Sequence, residues 1–120
     1  MTRSLVVKVT HAMDDPERAH IGCNVAAVAL ASGVEVHLFL AIEGVHLARP
    51  DVPATLVVED APPIGELLEA VRTAGTVTVC TPCATRRGLD HSDFVEGTQM
   101  AGSALFVELA TAEGATAVVY

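Results

Sequence analysis

The sequence predicts an α/β fold, a three-layer α/β/α sandwich with a mainly parallel sheet of four or five strands. Short runs rich in β-branched residues alternate with segments of helical periodicity, which is the pattern of a sheet covered on both faces. The chain is 51% apolar and only 18% charged, as expected of a folded protein. Its 120 residues suit one hydrophobic core, so we expect a single domain over residues 1–120.

The chain begins with a strand and a long helix. Residues 4–10 form an apolar, β-branched run that is typical of a strand buried on both faces. Asp15 is a favourable N-cap, Pro16 suits the first helical position, and Gly33 is the residue type that commonly ends a helix. These signals predict a helix over residues 16–32.

The middle of the chain repeats this alternation. Residues 34–41 are predicted to form the second strand, residues 43–48 a short helix or turn, and residues 55–59 a brief strand. Apolar residues at helical spacing after Pro62 and Pro63 predict a second long helix over residues 64–74.

The last third of the chain completes the alternation. Residues 76–80 are predicted to form a strand and residues 91–97 a short helical turn capped by Ser92. Residues 98–114 are predicted to form a full helix, and residues 115–120 the final strand. In a parallel sheet, the loops that follow the strands meet at one edge, which is where ligands and reactive groups usually lie.

The charge balance excludes several classes of function. Fifteen acidic residues against seven basic ones give a formal charge of −8, so the chain lacks the basic surface that nucleic acid requires. The apolar run near the N-terminus is too short for a signal sequence or a membrane span. Three cysteines in such a chain favour the reducing cytoplasm and a catalytic or metal-binding thiol rather than a structural disulfide.

Two cysteines, Cys80 and Cys83, follow the strand predicted at residues 76–80. Pro82 suits the start of a helix, and the free N–H groups of a helix start lower the pKa of a nearby thiol. Arg86 and Arg87 act in the same direction if either side chain faces the loop. We therefore expect a lowered pKa at Cys80. The alternative is a buried strand-end cysteine that packs as a small hydrophobic residue.

The same cysteine spacing occurs in thioredoxin-type dithiols and in half of a zinc site. A thioredoxin-type domain carries the motif after an early strand and needs a later proline, whereas Pro82 is the last proline of this chain. A zinc site needs three or four ligands, and His91 and His11 are the nearest candidates in the predicted fold. We favour neither, and we expect no metal. A reversible disulfide between the two thiols remains open chemically.

The remaining histidines and the third cysteine receive different interpretations. His11 and His46 follow strands at the same predicted edge, so they are candidates for tuning a thiol or moving a proton. His37 lies within a strand and is expected to be partly buried with a hydrogen-bond partner, whereas His20 is expected to face solvent. Cys23 shares a helix face with small apolar residues and is expected to pack in the core.

Three segments carry a resemblance to a known family. They are HAMDDPERAHIGCNVAAVALASGVEVHLFLAIEGVHLA, VCTPCATRRGL and FVEGTQMAGSALFVELA. The most telling pattern is a strand-end cysteine followed eight residues later by the glycine of an Arg-Gly pair, here Cys80 and Arg87-Gly88. In these segments and in the order of its elements, the chain resembles the DsrE/TusD-like (DsrE/DsrF-like) family of small sulfur-relay proteins.

The resemblance implies a function for the two thiols. Cys80 is expected to accept sulfane sulfur from a donor protein as a persulfide and to pass it to an acceptor protein, with no cofactor. Cys83 lies outside the minimal family pattern and is expected to be a resolving or modulating thiol. His11, Arg86 and Arg87 are expected to be electrostatic helpers. The resemblance also implies a homo-oligomer, often a trimer or hexamer. The alternative function is a non-catalytic module of the same fold that binds a small ligand or a partner.

Overall fold

The computed structural model describes residues 2–120. This part of the chain contains one sheet of five parallel strands. The strands are β1 (Ser4–Val9), β2 (Glu35–Leu40), β3 (Thr76–Cys80), β4 (Gln99–Ala101) and β5 (Ala115–Val119). Their order across the sheet is β4-β3-β2-β1-β5, and every neighbouring pair is parallel. The predicted α/β fold with a mainly parallel sheet is confirmed.

Within residues 2–120, four α-helices and three short 3-10 helices connect the strands. The α-helices are α1 (Pro16–Ala31), α2 (Ile64–Ala74), α3 (Thr81–Arg86) and α4 (Ser103–Ala110). The 3-10 helices are Ile42–Ala48, Pro53–Thr55 and His91–Asp93. The Asp15 side chain accepts a hydrogen bond from the N–H of Arg18, and Gly33 adopts a φ of +81° just after α1, so both predicted helix signals are confirmed.

The two faces of the sheet are covered unequally. Helices α1 and α2 pack together on the face that carries Val7 and Val9 of β1, and this layer contains most of the buried core. Close approach of α1 depends on Gly22, where a Cβ atom would lie 2.5 Å from the side chain of Val9. Helix α4 lies on the opposite face, where Phe106 contacts Phe39 of β2.

The structure corrects the predictions for three segments. Residues 55–59 contain no strand, because the chain leaves the 3-10 helix Pro53–Thr55 as irregular backbone. The helix predicted over residues 98–114 is only Ser103–Ala110, and it is preceded by the short strand β4. A three-residue strand is too short to show periodicity, and its pairing with β3 defines it. The turn at His91–Asp93 is capped by Asp90 rather than Ser92.

The carboxyl ends of β1, β2 and β3 lie at one edge, where the segment after β2 contacts β1. The N–H of Ala41 donates to the carbonyl oxygen of Val9 at 3.0 Å. Gly44 lies so close to this strand that a Cβ atom would overlap the same carbonyl oxygen.

Within residues 2–120, no helix is both long and apolar enough to cross a membrane.

Candidate thiol site

Cys80 and Cys83 lie together at this edge of the sheet. Cys80 ends β3 and is the N-cap residue of α3, and Cys83 follows one helical turn later. Their side chains are joined by a hydrogen bond, and neither cysteine forms a disulfide. Each residue exposes only 7% of its surface. The structure therefore brings the two predicted thiols together, but in a largely buried position.

The surroundings of Cys83 stabilise its thiolate. Burial raises the pKa of Cys83, but hydrogen bonds from the Cys80 side chain and the N–H of Ile42 lower it. The positive charges of Arg86 and Arg87 lower it further. Together these effects outweigh burial, so the pKa of Cys83 lies below the ordinary value of a thiol.

Cys80 is affected in the opposite direction. Burial raises the pKa of Cys80, and the side-chain hydrogen bond with Cys83 and the charge of that neighbour raise it further. The N–H of Cys83 and the charge of Lys8 oppose this rise without cancelling it. The prediction of a lowered pKa at Cys80 is therefore wrong, since the contribution of the helix start is outweighed by burial and by Cys83. The negative charge shared by the pair is most stable on Cys83.

Ile42 contacts this site through a strained backbone. Its φ is 55°, in the left-handed region that β-branched residues rarely adopt. Such a conformation costs about 1–3 kcal/mol and persists only where the surrounding structure imposes it. Here it accompanies the hydrogen bond from the Ile42 N–H to Cys83. No pattern in the sequence around Ile42 marks this residue as unusual.

A network of polar side chains positions Arg87 beside Cys83. Arg87 donates from Nε to Oε2 of Glu43 at 2.7 Å and from Nη1 to the carbonyl oxygen of Cys83 at 3.1 Å. His46 Nε2 lies 3.4 Å from the same carboxylate oxygen, and Arg49 Nη1 donates to Nδ1 of His46 at 3.3 Å. Glu43 thus joins the 3-10 helix Ile42–Ala48 to α3.

The other predicted helpers lie in different environments. Arg86 is exposed at the end of α3 and acts on Cys83 through its charge. His11 is hydrogen-bonded through Nδ1 to Asp14 at 2.7 Å, and within residues 2–120 no hydrogen bond or ion pair joins it to Cys80 or Cys83. The structure therefore brings Arg86 and Arg87 to the thiol pair and leaves His11 outside this set of contacts.

Sequence reasoning missed Lys8, which lies on β1 and acts on Cys80 from two strands away. Its Nζ lies 3.8 Å from the centre of the Phe106 ring and 5.6 Å from that of Phe39. Aromatic faces attract a cation at such distances, which holds this amine on the face of the sheet that α4 covers. The sequence did carry a signal for this residue, because Lys8 is the only lysine of the chain and lies inside an otherwise apolar strand.

The remaining histidines and Cys23 have structural partners. A hydrogen bond of 2.8 Å joins Nδ1 of His37 to Oγ1 of Thr76, as expected of a partly buried residue. His20 is buried and donates to the carbonyl oxygen of Pro62 at 2.9 Å, so the prediction that it faces solvent is wrong. Cys23 is fully buried as predicted, and burial raises its pKa to about 12.

The described part of the chain, residues 2–120, contains no group of three or more His, Cys, Asp or Glu side chains arranged to hold a metal ion. His91, a zinc-ligand candidate in the sequence, lies with its Nε2 2.9 Å from the carbonyl oxygen of Thr98. Through this hydrogen bond, His91 joins its own loop to the residue before β4.

Substitution of Ile42 by glycine tests the backbone strain. We expect Ile42→Gly to leave the free energy of unfolding unchanged or to raise it by up to about 1 kcal/mol, because glycine adopts positive φ without strain. Ile21→Gly is the matched control, since Ile21 lies in α1 and is 48% exposed against 51% for Ile42. It should lose about 1 kcal/mol in urea denaturation. Equal losses in the two variants would contradict strain at Ile42.

Removal of the Arg87 charge tests the electrostatics of the thiol pair. We expect Arg87→Gln to raise the pH midpoint of thiol alkylation and to slow the reaction near neutral pH by about two- to fivefold, the effect of one partly screened charge. Arg87→Lys should retain part of the rate, and Arg18→Gln, on an exposed part of α1, should match the wild type. An unchanged pH profile in Arg87→Gln would show that its charge does not reach the thiols.

Comparisons with known proteins agree with this architecture. The chain is 35% identical over 96 residues to the uncharacterized protein MJ0989 of Methanocaldococcus jannaschii, which covers 79% of this chain and 81% of the relative. It is 34% identical over 98 residues to the uncharacterized protein MK0008 of Methanopyrus kandleri, which covers 81% of this chain and 78% of that protein.

Two solved structures share the fold. MTH1491 from Methanobacterium thermoautotrophicum, a protein of unknown function, superposes with a TM-score of 0.78 at 19% identity and covers 98% of this chain and 99% of its own. The ychN protein from E. coli gives a TM-score of 0.76 at 16% identity and covers 98% and 100%. A sequence model of the DsrE/DsrF-like family matches residues 3–119. With nearly its whole length matched, the protein belongs to the DsrE/DsrF-like family.

Proposed function

We propose that the protein is a cytoplasmic sulfur-relay protein that carries sulfane sulfur as a persulfide on Cys80. The observation that carries this proposal is the hydrogen-bonded pair of Cys80 and Cys83, in which Cys83 has a lowered pKa. Membership of the DsrE/DsrF-like family supports the same chemistry. The donor and the acceptor of sulfur are proposed to be partner proteins.

The lowered pKa of Cys83 provides a base for activating Cys80. Because the two side chains share a hydrogen bond, the proton of the Cys80 thiol moves to the Cys83 thiolate as Cys80 attacks the outer sulfur of a donor persulfide. The Cys80 sulfur forms a bond to that outer sulfur, and the bond within the donor persulfide breaks. The donor leaves as a thiolate, and Cys80 holds the persulfide.

Two reactions remove the carried sulfur. An acceptor thiolate attacks the outer sulfur, takes it as a new persulfide, and leaves Cys80 as a thiolate. Alternatively, the Cys83 thiolate attacks the inner sulfur, which forms a Cys80–Cys83 disulfide and releases hydrosulfide. A cytoplasmic dithiol reductant then restores the two thiols. Cys83 is therefore both the base that activates Cys80 and its resolving thiol.

Intact mass spectrometry after incubation with a sulfane-sulfur donor tests this assignment. We expect the wild type to gain the mass of one sulfur atom and Cys80→Ser to gain about tenfold less or nothing. Cys83→Ser should retain the added sulfur longer than the wild type, because the resolving thiol is absent. After this gain, the wild-type protein should lose the sulfur as hydrosulfide and form a disulfide, which shows as a loss of two hydrogen atoms relative to the starting protein.

Cys23→Ala is the matched control for this experiment. Cys23 is fully buried and its pKa is raised to about 12, so its removal should leave sulfur loading unchanged. Equal loading of Cys80→Ser and the wild type would refute Cys80 as the carrier. Absence of loading in every variant would favour the alternative function, a non-catalytic binding module.

We further propose that the protein forms a homo-oligomer through α4 and β5. No residue of α4 is buried, although its sequence SALFVELA carries a single charge. Strand β5 lies at the edge of the sheet, and Val119 of this strand and Val107 of α4 are both largely exposed. An apolar helix beside an apolar edge strand is typical of a surface that a partner covers.

A charge placed on α4 tests this interface. We expect Val107→Glu to reduce the molar mass measured by light scattering from that of a trimer or hexamer toward that of a monomer, because a carboxylate is costly at an apolar contact. Val28→Glu is the matched control, since Val28 in α1 and Val107 are both 56% exposed. It should keep the oligomer intact. A monomeric wild type, or the same loss in both variants, would contradict an interface at α4.

A further inference from the structure

A groove of about 480 Å³ lies apart from the thiol pair, between the segment that follows the 3-10 helix Ile42–Ala48 and helix α2. Most of its lining is apolar, and its walls include Leu47, Leu56, Val57, Val58, Ile64 and Val95. Neither cysteine of the pair lines it. Its volume falls within the range of small-molecule sites, which are mostly apolar with a few polar groups that orient the ligand.

The charges at this groove are unusual for so acidic a chain. Arg49 and Arg72 line it, and Glu66 is the one acidic residue among the lining residues. Arg72 is paired with Glu69, whereas Arg49 forms no ion pair with any carboxylate in residues 2–120, and its side chain donates a hydrogen bond to Nδ1 of His46. An arginine without a counter-ion beside an apolar wall complements a ligand that is itself apolar with one anionic group.

The start of α2 adds to this complementarity. Ile64 and Gly65, the first residues of α2, line the groove, and the helix has no side-chain cap at its N-terminus. The N-terminal end of an α-helix carries partial positive charge, which favours an anionic group in this groove and is offset in part by Glu66 in the same first turn. The groove therefore combines an apolar wall with two sources of positive potential.

We propose that this groove binds a small amphipathic anion, an apolar chain or ring that bears one carboxylate or a similar group. The anionic group pairs with Arg49, and the apolar part lies against Val58 and Ile64. This ligand site goes beyond sulfur relay and does not depend on it. Arg49 also contacts His46, which in turn contacts Glu43. Because Glu43 binds Arg87, an anion bound to Arg49 is connected through these side chains to the arginine beside Cys83.

Titration of the ¹⁵N-labelled full-length protein with sodium octanoate, followed by NMR, tests the proposal. We expect saturable shifts of the amide signals of Val57, Val58 and Gly65, and binding of octanol, the neutral analogue, at least about tenfold weaker. Arg49→Gln should weaken octanoate binding about tenfold, the loss expected for one charge-assisted hydrogen bond. The Cys80→Ser variant should bind as the wild type does, which separates this result from the test of sulfur relay.

A second variant keeps the test valid if Arg49→Gln fails to fold. Val57 is 85% exposed, so Val57→Glu should fold normally and repel the anion, with octanoate binding about two- to fivefold weaker. Val28→Glu adds the same charge on α1, Arg18→Gln removes another arginine, and neither residue lines the groove. Both controls should bind octanoate like the wild type.

Three results would overturn the proposal. The first is no saturable shift at the groove with octanoate. The second is equal binding of octanol and octanoate, or equal binding by the wild type and the folded groove variants, since either shows that no anionic group is recognised. The third is a shift of the groove signals with protein concentration in the absence of octanoate, which would show that a second copy of the chain occupies the groove.

Discussion

The contact between the segment after β2 and the carboxyl end of β1 determines the geometry of the thiol site. Ala41 donates a hydrogen bond to the carbonyl oxygen of Val9, and Gly44 lies where no Cβ atom would fit beside that oxygen. Between these two contacts the backbone of Ile42 is held in the left-handed region, with its N–H bonded to Cys83. Glu43 comes next and binds Arg87. Because these contacts involve backbone atoms of neighbouring strands, the parallel sheet itself fixes the surroundings of the thiols.

The three cysteines show how strongly surroundings control the same chemical group. Cys23 lies among small apolar residues, where nothing offsets the cost of burying a charge, and its pKa rises to about 12. Cys83 is also buried, but it receives two hydrogen bonds and lies near two arginines, so its pKa falls. Cys80 lies between these extremes, since its neighbour takes the negative charge that the helix start would otherwise favour on Cys80. The chemistry we propose depends on this difference between adjacent thiols.

The sheet also separates regions of the molecule that differ in burial and in surface chemistry. The face under α1 and α2 contains most of the fully buried aliphatic residues and provides stability. On the opposite face, α4 packs mainly against β1 and β5, and Lys8 lies there beside the rings of Phe39 and Phe106. Helix α4 and strand β5 expose apolar side chains there, while the groove that Arg49 and α2 border lies outside both the thiol pair and this apolar surface. We propose that these three separate regions serve sulfur transfer, self-association and ligand binding.

The sequence by itself determined the alternation of strands and helices, because buried parallel strands require β-branched runs and residues such as Asp15 and Gly33 mark the ends of α1. It also placed Cys80 and Cys83 at a strand end and one turn into a helix, which follows from local spacing. Only the tertiary structure decided that β4 exists, since pairing with β3 defines this three-residue strand. It likewise decided which thiol has the lowered pKa. That pKa depends on Ile42, Arg86, Arg87 and Lys8, whose distances from the sulfur atoms come from strand order and loop packing rather than from position along the chain.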